Sequence, residues 1–251
     1  MTTTADAGLV TDRNDAILEV ENASFGYGNI PIVRHLSLTV HAGQVVALLG
    51  ANGAGKTTTL LGVAGELRCA EGTVRWLGRE TKAPLHVRAK QGLGFVPGEQ
   101  AITPSLNVRD NLRLGRGTTD AALELFPELR PMLRRQGGLL SGGEQKMLSM
   151  ARAVAARPRL LLVDEISQGL APLATKRLLA AVRRAADEFG VGVLLVEQQV
   201  RQALDLCDRA YVMRRGEIVM EGAGVELGRM MHEIEAHYLD ESIGSPNGSR
   251  H

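Results

Sequence analysis

The chain has 251 residues, 44% hydrophobic and 23% charged, which is ordinary globular composition with enough length for a sizeable core. Lysine plus arginine number 29 against 28 aspartate plus glutamate, so the net charge of +1 leaves no electrostatic footprint for nucleic acid. Cys69 and Cys207 stand in no metal-ligand spacing and read as reduced, packed thiols of a cytosolic protein, and no apolar run reaches the length of a membrane span.

The polar start, residues 1–14, lacks the basic-then-apolar order of a secretory signal and reads as a disordered tail. The body is expected over 15–240. "AILEVENASFGYG" and "RHLSLTVHAG" alternate like strands of an antiparallel sheet with one wet face. "VVALLG" (45–50) is apolar throughout, as a strand covered on both faces must be. It runs into "GANGAGKTT" (50–58), which has Gly50, four spacers, Gly55, Lys56 and Thr57. This is the phosphate-binding loop spacing, placed between a strand and a helical pattern as the motif requires. Gly50, Asn52, Gly53, Ala54, Gly55, Lys56, Thr57 and Thr58 are the candidate nucleotide-binding residues. The glycines let backbone N–H groups wrap a phosphate chain, Lys56 reaches the outer phosphates, and the Thr57 hydroxyl is a candidate Mg²⁺ ligand.

"EGTVRWLGRE" (71–80) again alternates like an antiparallel strand. From about 98 to 157 the pattern is helical, punctuated by Pro104, Pro127 and Pro131, and reads as a helical insertion between two strands. Within it Asn107 can cap a helix whose first turn carries Asp110. Ser141, Gly142 and Gly143 open a second helix, "EQKMLSMARAVAARP", which Pro158 stops. Its free amides and the Ser141 hydroxyl make a second anion site beside a plain helix cap.

"LLLVDE" (160–165) is an apolar strand ending in two carboxylates. A buried strand delivers Asp164 to the sheet edge where ligands bind in α/β folds. Asp164 can hold Mg²⁺, and Glu165 is placed to polarise an attacking water. A helix follows, with Leu178, Val182, Ala185 and Phe189 at helical spacing, then the apolar strand "VGVLLVE" (191–197). "RAYVMRRGEIVMEG" (209–222) alternates like antiparallel strands and turns at Arg215-Gly216. Arg134-Arg135 and Arg183-Arg184 read as solvated helix faces. Residues 241–251 read as a second disordered tail. Strand and helix in alternation give an α/β fold with a mainly parallel core sheet, an antiparallel β subdomain and the helical insertion.

With "LSGGEQ" (140–145) upstream of "LLLVDE" and the phosphate loop before both, the chain resembles the nucleotide-binding subunits of ABC transporters, which are P-loop NTPases. "ISQGLAPL", "LLVEQQVRQALDLCDRAYVM" and "SLNVRDNL" look most like the smaller ATP-binding subunit of branched-chain amino-acid importers. The resemblance implies ATP and Mg²⁺ as cofactors and head-to-tail pairing with a second ATP-binding subunit. Ser141, Gly142, Gly143, Glu144 and Gln145 then serve the partner's ATP rather than the chain's own. It also implies two membrane-spanning permease subunits, an indirect solute-binding protein, and a place on the inner face of the cell membrane. Tyr27 matches the aromatic that stacks on adenine, residues 166–172 the loop that crosses the dimer interface, and 96–112 the region facing the membrane subunits. The sequence departs from the family at Gly98, where Gln or Glu is usual, with Glu99 next. It departs again at Gln198, where many members have His; Gln donates a hydrogen bond to phosphate without a positive charge. These departures imply a heterodimer with two unequal sites, this chain's loop giving the slower one. An ABC exporter subunit, or a non-transport ABC ATPase, is the alternative. A DNA-repair clamp is disfavoured, because the stretch between Lys56 and Ser141 leaves no room for a long coiled coil.

Overall fold

The computed structural model describes residues 16–99 and 101–234. Both expected tails, and residues 15, 100 and 235–240 of the expected body, lie outside them. Twelve-residue strands β1 (Ala16–Tyr27) and β2 (Ile30–His41) pair antiparallel. Next come β3 (Val45–Leu49), α1 (Lys56–Ala64), β4 (Cys69–Trp76) and the short β5 (Arg79–Glu80). Helix α2 (Leu85–Lys90) leads to β6 (Leu93–Val96). Three helices, α3 (Val108–Arg113), α4 (Thr119–Leu125) and α5 (Gly142–Ala155), with two 3-10 turns, then precede β7 (Leu160–Asp164). The chain continues through α6 (Pro172–Phe189), β8 (Gly192–Glu197), α7 (Val200–Leu206), β9 (Arg209–Arg214), β10 (Glu217–Ala223) and α8 (Gly224–Arg229).

Two sheets form, a four-stranded antiparallel one in the order β2-β1-β4-β5 and a six-stranded one in the order β10-β9-β3-β8-β7-β6. In the second, β9, β3, β8, β7 and β6 run parallel and β10 closes the edge antiparallel. Residues 209–214 therefore differ from the expected wet-faced antiparallel strand. The Arg215-Gly216 turn forms, but β9 is buried along its middle and lies parallel beside β3. Its second neighbour, not its own alternation, sets its environment.

The continuous apolar strands are explained by what covers them. Along β3, Val45, Ala47 and Leu49 face a core shared with α5 and α6, while Val46 and Leu48 face a second core shared with α1 and the antiparallel sheet. Strands β7 and β8 divide their side chains in the same way. Register then decides what lies at the strand ends: Leu49 is opposite Glu197, and Asp164 is opposite Val196. The segments beginning at Gly50, Glu165 and Gln198 thus leave one sheet edge side by side.

The caps fall where residue chemistry puts them. The Asn107 side chain accepts from the Asp110 N–H at 2.8 Å, and Ser141 and Glu144 form a reciprocal capping box at the start of α5. Arg183 departs from the solvated reading. Its guanidinium bridges the Gly43 carbonyl (3.1 Å), Asp187 (2.8 Å) and Asp208 (3.0 Å), tying α6 to the segments flanking β3 and β9.

The far end of α1 is held by Arg88, only 3% exposed. Its guanidinium donates to the carbonyls of Val63, Ala83 (2.8 Å) and Thr81 (3.4 Å). A cation there also meets the negative end of the α1 dipole. Arg88→Ala leaves buried carbonyls unpaired and is expected to destabilise the chain by about 2–4 kcal/mol, measured by urea unfolding. A change near zero would contradict this.

Candidate ATP site

The loop between β3 and α1 is shaped by two glycines. A Cβ on Gly50 would stand 2.5 Å from the Met213 carbonyl oxygen, and Gly55 holds a φ of 109°, open to glycine and strained for other residues. Its outer wall is pinned by the Gly216 N–H donating to the Ala54 carbonyl at 2.8 Å. No side chain caps the start of α1, so its first amides remain available to an anion.

Lys56, 4% exposed, turns into this loop. Its ammonium donates to the carbonyls of Gly50 (2.9 Å) and Ala51 (3.0 Å) and pairs with Glu165 Oε1 at 3.2 Å. The Thr57 hydroxyl donates to the Asp164 carboxylate at 3.2 and 3.4 Å. Gln198 Nε2 donates to Glu165 Oε2 at 3.0 Å and to Asn52 Oδ1. Asn52, Lys56, Thr57, Asp164, Glu165 and Gln198 are thus brought together at one sheet edge. Gly53 and Ala54 shape the loop between them, and Thr58 is buried in the first turn of α1.

Tyr27 lies outside this hydrogen-bonded cluster. It is 53% exposed at the end of β1 and lines a groove of about 820 Å³ with Arg34, His35, Arg68 and Glu71. That groove shares no lining residue with the phosphate loop. Ser141 and Gly142 are exposed at the start of α5, and Gln145 donates back to the carbonyls of Gly137 and Leu140. Glu144 is engaged in the capping box, accepting from the Ser141 N–H at 2.7 Å. At the departure site, a Cβ on Gly98 would stand 3.2 Å from the Asp164 carbonyl and 4.0 Å from the Glu165 Cβ. Position 98 therefore abuts the paired acids without a side chain to offer, and the Glu99 side chain is exposed.

Two residues of this edge, Glu197 and Lys146, escaped the sequence reading. Glu197, 2% exposed, accepts from the Ser167 hydroxyl at 2.5 Å and the Ser167 N–H at 3.0 Å. The Lys146 ammonium donates to the carbonyls of Glu165 (2.8 Å) and Gln168 (3.3 Å). Glu197 had a legible signal: it ends an apolar strand as Asp164 does.

Three carboxylates, Asp164, Glu165 and Glu197, face two ammonium groups, Lys56 and Lys146. Burial pushes the Asp164 carboxyl up, opposed by the Thr57 hydrogen bond. Asp164 is thus a buried carboxylate with one hydroxyl beside it, a partial oxygen donor set suited to a hard divalent cation. Among the described residues no group of three or more His, Cys, Asp or Glu can hold a metal, so water and phosphate oxygens would complete the shell.

The sequence pattern of the family described as "ABC transporter" matches residues 33–168. The high-affinity branched-chain amino acid transport ATP-binding protein BraG of Pseudomonas aeruginosa is 38% identical over 221 residues, 84% of this chain and 94% of that protein. The chain belongs to the ABC transporter family. As a member it is an ATP-hydrolysing, ATP-binding subunit of a transporter. The lipopolysaccharide export system ATP-binding protein LptB of Haemophilus influenzae is 35% identical over 250 residues, 91% of this chain and 99% of that protein. Among solved structures, a dimeric ATP-binding cassette in a post-hydrolysis state, bound to ADP and Pi, superposes with a TM-score of 0.72 at 23% identity. It covers 82% of this chain and 98% of its own, and shows the shared fold. Among the described residues no helix is long and apolar enough to cross a membrane.

Burial pushes the Glu197 carboxyl up, with the Ser167 hydrogen bonds opposing. A carboxyl raised in the folded chain holds its proton more tightly there than when unfolded. Wild-type stability therefore falls as pH rises through that range. Glu197→Gln lacks this loss. The difference in unfolding midpoint, variant minus wild type, is expected to move in the variant's favour as pH rises above the ordinary carboxylate range. A constant difference, or movement the other way, would contradict the assignment.

Proposed function

We propose that the chain is the motor subunit of an importer for branched-chain amino acids or related small solutes. It would pair head to tail with a second ATP-binding subunit and dock on two permease subunits at the inner face of the membrane. A solute-binding protein would deliver the cargo. The cluster of Lys56, Thr57, Asp164, Glu165 and Gln198 carries the hydrolytic part of this reading. The match to BraG supports the import part.

In this reading the phosphate chain of ATP enters the loop from Gly50 to Thr58 and takes hydrogen bonds from its amides and Lys56. It competes with Glu165 for the Lys56 ammonium, freeing that carboxylate to accept a proton from water. Gln198 orients the Glu165 carboxylate and can donate to a phosphate oxygen. Thr57 and Asp164 would hold Mg²⁺, which would neutralise charge on the phosphates. Tyr27 would meet the adenine. Ser141 to Gln145, whose first two residues are exposed at the start of α5, would close over the partner's nucleotide. A nucleotide gripped by both subunits favours the closed pair, and its cleavage removes that preference. Gly98 and Gln198 support a slower site within an unequal heterodimer, although a homodimer would use the same surfaces.

The similarity to LptB favours a second reading, an exporter subunit. Purification of the chain with its membrane partners separates the two. ATP hydrolysis stimulated by an amino-acid-loaded binding protein supports import, whereas a complex stimulated by lipid-linked cargo and lacking such a protein overturns it. Glu165→Gln is expected to lower kcat by about 100-fold or more while retaining ATP. It should also accumulate an ATP-dependent dimer by light scattering. Wild-type turnover in this variant would remove Glu165 from its role.

A further inference from the structure

Glu165 is held in an unusual way. Its φ of 42° lies in the left-handed region, which is strained for a residue with a side chain. Three contacts on its backbone hold it there: its N–H donates to the Val196 carbonyl at 2.9 Å, and its own carbonyl accepts from Lys146 at 2.8 Å and from the Gln168 N–H at 3.4 Å. The direction of the carboxylate follows from that backbone. In the strained conformation it reaches Lys56 on one oxygen and Gln198 on the other. A change in that φ would redirect the side chain relative to both partners.

The geometry points to Lys146 as a positioning residue for ATP hydrolysis: its ammonium clamps the backbone of Glu165 and so aims the carboxylate that acts on water. This rests on the role proposed above for Glu165. Three observations carry it. Lys146 bonds the carbonyls at both ends of the 165–168 segment, Glu165 and Gln168. Glu197 holds the same segment through Ser167, so Lys146 adds a second hold on it rather than making a stray surface contact. Lys146 is also the first residue after 141–145, in the opening turns of α5. The helix start assigned to the partner's nucleotide is therefore bonded directly to the hydrolytic loop of its own subunit. A shift of α5 on dimer closure would be felt at Glu165. Burial lowers the Lys146 ammonium from its ordinary value, and the nearby carboxylates of Glu197, Glu165, Asp164 and Glu99 oppose that shift.

The test is steady-state ATP hydrolysis by the purified chain with its partner subunits, comparing wild type, Lys146→Met and Lys146→Arg, with thermal unfolding of each. Lys146→Met keeps the length of the side chain and removes the charge. It is expected to lower kcat about tenfold or more while changing KM for ATP by less than about twofold. Lys146→Arg, which can still donate to both carbonyls, should recover most of kcat. In a Glu165→Gln background Lys146→Met should cost little further turnover, because both changes act on one step. Wild-type kcat in Lys146→Met would overturn the inference. So would a loss that follows the unfolding midpoint, is not rescued by arginine and multiplies with Glu165→Gln. Absence of hydrolysis by the wild-type complex would instead sink the function proposed above, leaving the two failures distinguishable.

Discussion

The structure turns on a crowding of charge at the carboxyl edge of a parallel sheet. Register brings the ends of β3, β7 and β8 level, so Lys56, Asp164, Glu165 and Glu197 must share a space largely closed to water. Desolvated carboxylates are tolerable only with partners. Lys56 answers Glu165, the Thr57 hydroxyl answers Asp164, Ser167 answers Glu197, and Lys146 stitches the intervening backbone. The same arrangement that satisfies the fold leaves Asp164 short of positive charge and Lys56 inside a loop of free amides. The proposed function needs both conditions.

Much of this was legible in the sequence because the relevant chemistry is local. The phosphate loop is a short run whose glycines answer a close approach at Gly50 and a positive φ at Gly55. Asn107 and Ser141 cap the helices that their neighbours predict. Asp164 and Glu165 stand at the end of an unbroken apolar strand, and such a strand has few places to end except a sheet edge.

What escaped reading depends on contacts distant in sequence. Lys146 looks like any cation on a helix face until α5 is laid across the segment after β7. Ser167 and Glu197 lie thirty positions apart and meet only because β7 and β8 are neighbours. The alternation of residues 209–214 suggested a wet face, yet their place beside β3 buries them. Arg183 likewise sits beside an arginine that pairs at the surface, but it also reaches the Gly43 carbonyl. In each case a tertiary neighbour overrode a local pattern. The strain at Glu165 has no sequence signal, because nothing in the residues marks a positive φ there.

On the proposed account the chain holds two half-sites that cannot complete each other. The phosphate loop lies at one sheet edge, while Ser141 and Gly142 are exposed at the start of α5 with their capping needs met internally. The most direct test is disulfide cross-linking in the native complex. Ser141→Cys in this chain is combined with a cysteine introduced into the phosphate loop of the subunit that pairs with it, in a background where Glu165→Gln slows hydrolysis. The account predicts a cross-linked pair that forms with Mg-ATP and is lost without nucleotide. Cross-linking indifferent to ATP, or its absence while ATP is bound, would contradict it.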